Sequence, residues 1–136
     1  DNTVFNFMNK ILVEVSIGEL LDKISILEIK KEKIKDPEKL KFISYEHSIL
    51  KKQLDDNIQP DNKLNELFKS LKNINAKLWI IEDDKRQCEK DKNFNEKFIK
   101  LSRDVHFLND DRAKIKLKIN NLTNSVIKEI KEYTNY

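Results

Sequence analysis

The stretch Ser16-Ile17-Gly18-Glu19-Leu20-Leu21-Asp22-Lys23-Ile24-Ser25-Ile26-Leu27-Glu28-Ile29-Lys30 decides the fold. Ser16 followed by Glu19 is the capping box that opens a helix, each partner taking up a backbone N–H of the first turn. Apolar residues then return at Ile17, Leu20, Leu21, Ile24, Leu27 and Ile34, spaced by threes and fours. That spacing is one helical face, not the alternation of a strand. A helix over residues 16–35 follows. Glu28 falls on its apolar stripe, where a charge is costly unless it is paired.

Working outward, the same grammar repeats. Asp36-Pro37-Glu38 is a capping acid, a proline at the first helical position and a second acid. It predicts a second helix to about residue 55, with Leu40, Ile43, His47, Leu50 and Leu54 on one face. So short a break makes helices 1 and 2 a hairpin. Residues 55–62, with Pro60, form the next connection. Helix 3 is expected over residues 62–92, with Leu64, Leu67, Phe68, Leu71, Ile74, Leu78 and Trp79 in register. That line continues through Glu82, Arg86 and Glu89 instead of hydrophobes. Asn93-Phe94-Asn95-Glu96 caps a fourth helix to about residue 122, aligned on Phe98, Leu101, Val105, Leu108, Ile115 and Ile119, with Arg112 in the slot between Leu108 and Ile115.

Toward the N-terminus, residues 11–15 are mostly β-branched and suit one short strand. It would need residues 4–7, a symmetry mate or a helical surface to lie on. Residues 1–10 read as a leader, with Met8 a candidate start, and 124–136 as a frayed tail with one turn over 125–133. The expectation is a single all-α domain of two helical hairpins, in which helices 3 and 4 protrude beyond helices 1 and 2. Such surplus apolar surface favours a homodimer.

Composition narrows the function classes. Of 136 residues, 38% are charged and 38% apolar, the balance of helices with one wet face, while one glycine and two prolines leave little for sheets or long loops. A net charge of +3 with both signs interspersed is not a nucleic-acid footprint, and the run Lys30, Lys31, Lys33, Lys35 complements a helix C-terminus. The single cysteine, Cys88, excludes an internal disulfide and fits a reducing, cytoplasmic setting. No apolar run approaches the roughly 20 residues of a membrane span.

Four stripe charges ask for partners: Glu28, Glu82, Arg86 and Arg112. They sum to zero, and Glu82 and Arg86 lie four apart on one helix. One reading is a buried ion network that fixes helix register, in a binding or interaction module without chemistry of its own. The other is an enzyme or receptor for a small anionic metabolite, with Arg86 and Arg112 as clamps and Glu28 or Glu82 as proton carrier. Asp22-Lys23 and Asn109-Asp110 lie off the main stripes and read as solvated surface; they join the site only if helices 1 and 4 are buried on two sides, as Ile26 and Ile29, and Ile99 and Leu117, hint.

His106 and Asp110 are spaced i, i+4, but two ligands are not a metal site. His47 reads as a core histidine, Cys88 as an inert thiol and Trp79 as a packing anchor. No Gly-rich phosphate loop, Ser-His-Asp arrangement or zinc spacing occurs. No catalytic residue, metal or cofactor is assigned.

The stretch from Val13 through Lys30, together with Leu78-Trp79-Ile80-Ile81-Glu82-Asp83 and Arg86, and Asn109-Asp110 with Arg112-Ala113 and Lys116, resembles a small uncharacterised bacterial family, a domain of unknown function. The resemblance spans nearly everything from residue 11 to 120. It implies a shared helical fold and weight on these polar residues, and it implies no activity. Two enzyme classes fit poorly. Helical chorismate mutases hold a dicarboxylate with buried arginines, whereas helix 1 here has Lys23 but no arginine and carries Glu28. Helical nucleotide pyrophosphohydrolases need clustered acids for magnesium, whereas Arg86 sits beside Glu82.

Overall fold

The computed structural model describes residues 9–59 and 61–136. Four helices form among the described residues, each starting where a short polar side chain takes up a free backbone N–H. Helix α1 (Ile17–Lys33) is capped by Ser16, α2 (Pro37–Asn57) by Asp36, α3 (Asn62–Lys90) by Asp61 and α4 (Glu96–Leu122) by Asn95. Only half of the α1 capping box is used. Ser16 Oγ accepts from the Glu19 N–H at 3.0 Å, while the Glu19 carboxylate is drawn to Lys116 at 2.6 Å.

α1–α2 and α3–α4 are the two hairpins, and α1 is the hub: it packs on α2, α3 and α4, while α2 docks on α1 alone. Burial follows from this. α1 is buried on two sides, with Leu21, Ile24, Leu27 and Ile29 inside, whereas α2 has no fully buried residue. Leu21, Leu64, Leu71 and Ile119 form the central cluster, and Leu54 and Ile58 from the end of α2 pack against it. The protruding part of the α3–α4 pair leaves Ile80, Ile99 and Phe107 exposed.

Two expectations are corrected here. No strand occurs among the described residues: residues 11–15 are unpaired, and Ile11, Leu12 and Val13 are exposed. Without a neighbouring edge, an extended segment has no ladder to join and leaves its N–H and C=O groups to water. The expected partner at residues 4–7, the Met8 start and Pro60 lie outside the described residues. The chain after Thr123 forms no helical turn and runs back along α4 instead. Glu129 pairs with Lys116, and the Tyr136 hydroxyl donates to the Asp110 carboxylate, its ring edge-on to His106 and Phe107.

Lys92 and Asn124, just past the ends of α3 and α4, have φ values of 56° and 54°. In both places the following N–H closes onto a carbonyl of the last turn, Asn93 onto Cys88 at 2.8 Å and Ser125 onto Asn120 at 2.9 Å. A left-handed lysine strains its Cβ against the backbone, so Lys92→Gly should raise unfolding free energy by about 1 kcal/mol. Urea denaturation measures it.

Candidate functional site

The four stripe charges do not meet, which corrects the expected quartet. Glu82 and Arg86 pair only with each other, at 3.3 Å along one face of α3, and the Arg86 side chain is 76% exposed. Stripe position could not show this, because the end of α3 extends past α1 and no third helix covers it there. Glu28 instead joins α1 to its two other neighbours. It pairs with His47 of α2 at 3.3 Å and with Lys72 of α3 at 3.2 Å, and Lys72 also reaches Glu32 at 2.9 Å. Hydrogen bonding to Glu32, and then to Glu28, holds the Lys72 ammonium pKa above its usual range.

Arg112 has a different partner. The second buried side of α1 carries Gly18, Asp22, Ser25 and Ile29, and Asp22 is only 1% exposed. Arg112 grips that carboxylate with two nitrogens, Nε to Oδ1 at 3.0 Å and Nη2 to Oδ2, the fork geometry only arginine supplies. Asn75 of α3 donates to the same Oδ1 at 2.8 Å and to Ser25 Oγ at 2.8 Å. Burial pushes the Asp22 carboxyl up. Hydrogen bonds from Arg112 and Asn75, with the charges of Arg112 and Lys116, outweigh it and hold the pKa below its ordinary 3.8. The solvated-surface expectation for Asp22 is thereby overturned. Lys23 keeps it, half exposed with a loose contact to Glu19 at 3.7 Å.

Lys116, one turn beyond Arg112, is 8% exposed and meets Glu19 at 2.6 Å, Glu129 at 3.4 Å and Asp22 at 3.7 Å. Below it α1 and α4 nearly touch. A Cβ on Gly18 would lie 2.7 Å from the Lys116 carbonyl oxygen and 2.9 Å from Asn120 Oδ1. That closeness lets Asn120 accept the Gly18 N–H at 2.7 Å, while Ser125 Oγ accepts the Ile17 N–H at 3.1 Å. With Ser16 on Glu19, the N–H groups of Ile17, Gly18 and Glu19 are all taken, so the helix N-terminus is closed to an anion.

Above the Asp22–Arg112 pair a cleft of about 270 Å³ opens where α1, α3 and α4 meet. Its apolar walls are Ile26, Ile29, Leu78 and Trp79, and its polar groups are Asn75, Glu82, Asn109 and Arg112. Of the sequence candidates, Glu82, Asn109 and Arg112 come together here. Glu28, Arg86 and Asp22 do not line it, and Asp22 is tied to it only through its bonds with Arg112 and Asn75. Asp110 turns to Tyr136 on another face of α4. Asn75, Ser25 and Asn120 were missed, and Lys116 was weighted only through the resemblance. The available signal was a second α1 stripe, Gly18, Asp22, Ser25 and Ile29, spaced by fours and threes and rich in small and polar residues.

Among the described residues no group of three or more His, Cys, Asp or Glu is placed to hold a metal ion, and no helix is long and apolar enough to cross a membrane. Fold and site define a helical bundle centred on a buried carboxylate–guanidinium pair beneath an apolar-walled cleft. The chain belongs to a family of unknown function, DUF6165, whose model matches residues 11–136. No curated protein and no solved structure matches it. The three stretches that carried the resemblance all contribute to the cleft: Ile26 and Ile29 from the first, Leu78, Trp79 and Glu82 from the second, Asn109 and Arg112 from the third.

Proposed function

We propose that this protein is a binding module that receives a small ligand in the cleft between α1, α3 and α4. The observation that carries the reading is the cleft itself: α1 and α3 supply apolar walls while a few polar groups of α3 and α4 converge on it, an arrangement that suits a small molecule. Asp22 and Arg112 hold each other by two hydrogen bonds, which fixes the guanidinium in the wall of the cleft. The two-arginine clamp for an anion loses support, because Arg86 lies on an exposed face outside the cleft. Trp79 is the only tryptophan of the chain, so its fluorescence reports on the cleft wall. Screening a metabolite library should find a compound that raises Tm and shifts Trp79 emission, with both responses lost in Asn109→Leu. A library that moves neither signal refutes the reading.

A homodimer remains part of the proposal. Ile80, Ile99 and Phe107 are 51%, 55% and 40% exposed on the protruding hairpin, apolar surface that a second copy would cover. Sedimentation equilibrium giving a monomer at all concentrations would remove it.

A further inference from the structure

Resting on the cleft reading above, we infer the chemistry of the occupant: a compact zwitterion with an apolar side group, that is, a free α-amino acid with an aliphatic or aromatic side chain. The inference comes from which ends of two asparagines are already committed. Asn75, 5% exposed, gives both amide hydrogens away, one to Asp22 and one to Ser25, so it has only its carbonyl oxygen to offer the cleft it lines. Asn109 is the reverse. Its oxygen accepts from Arg112 Nη1 at 3.3 Å, which leaves its amide N–H groups to donate. Arg112 spends one hydrogen on each of three nitrogens, out of the five a guanidinium carries, and the remaining two are also donors. Glu82 offers only acceptors.

The cleft is therefore polarised across its width. The α3 wall presents acceptors, from Asn75 and Glu82, and the α4 wall presents donors, from Arg112 and Asn109. Ile26 and Ile29 of α1, with Leu78 and Trp79, supply the apolar surface. A ligand that satisfies both walls carries a donor-rich group on one side, an acceptor-rich group on the other and hydrocarbon between them and α1. An ammonium and a carboxylate on one carbon, with an apolar side chain, meet all three requirements. Charge agrees. The Arg112 charge is matched by Asp22 and the Glu82 charge by Arg86, so the walls are already balanced: a neutral zwitterion adds no net charge, whereas an ion of either sign would arrive unmatched.

The test uses the whole chain, Trp79 emission under tryptophan-selective excitation, calorimetry and four probes: L-leucine, L-phenylalanine, isopentylamine and 4-methylpentanoate. Both amino acids should bind. The amine lacking the carboxylate and the acid lacking the ammonium should each bind at least about tenfold more weakly, the loss expected for a charge-assisted contact. Glu82→Gln should weaken leucine binding while leaving the urea midpoint unchanged, since the residue supports no buried partner. Equal binding of the amine, or of the acid, overturns the inference, because a single wall would then suffice. No binding of any probe, with library compounds still shifting Trp79, overturns the ligand class and leaves the cleft reading standing. Failure of the library as well removes both.

Discussion

Arg112→Leu should lower the unfolding free energy at neutral pH by about 3–5 kcal/mol, because it strands a carboxylate that is 1% exposed. The loss is the cost of a buried charge left with only the Asn75 amide and a Lys116 ammonium 3.7 Å away, not the net worth of the pair. Asp22→Leu combined with Arg112→Leu should therefore recover most of it, since a matched hydrocarbon contact replaces a matched ionic one. The pH dependence separates this from simple loss of packing. In the native protein the Asp22 pKa lies below 3.8, so its stabilising contribution is complete above that value and disappears as the pH falls through the folded pKa. In Arg112→Leu the same burial acts without the guanidinium, and the folded pKa rises. Protonation then relieves the variant, and the gap between it and the native protein should narrow as urea titrations move from pH 7 to about pH 4. A gap independent of pH would mean that Lys116, already 3.7 Å from Asp22, takes over from the guanidinium.

Gly18→Ala should be nearly as damaging, at about 2–4 kcal/mol, although alanine is the better helix former. The added methyl would lie 2.7 Å from a backbone oxygen of α4, and backbone cannot rotate away as a side chain would. The helices must separate, and the 2.7 Å bond from the Gly18 N–H to Asn120 lengthens with them. The sign is the decisive point: propensity alone predicts stabilisation, steric contact predicts loss, and one thermal melt distinguishes them.

The fold was legible in the sequence because its signals are local. Ser16, Asp36 and Asn95 announce helix starts, and threes-and-fours spacing needs no knowledge of neighbours. The site was less legible because it depends on which helix α1 touches on its second side. Ile26 and Ile29 hinted at that side, yet Asp22 looked solvated since it stands off the dominant stripe. Arg112 was correctly suspect as a charge among hydrophobes, but its partner was sought among other stripe residues, where only intrahelical geometry was available. The Glu82–Arg86 pair shows the opposite failure. Stripe position implies burial only as far as a covering helix extends, and sequence spacing does not say where α1 stops relative to α3.

The first turn of α1 has its backbone donors held by Asn120 and Ser125, across sequence separations of 102 and 108 residues. A ribosome makes the α1 end first, and those acceptors emerge more than 100 residues later. The segment on which the other three described helices pack is thus left with an open end until these acceptors appear. Nascent chains halted before residue 120 should hold α1 loosely and remain open to protease, and closure of the native state should follow only once Asn120 and Ser125 have left the ribosome.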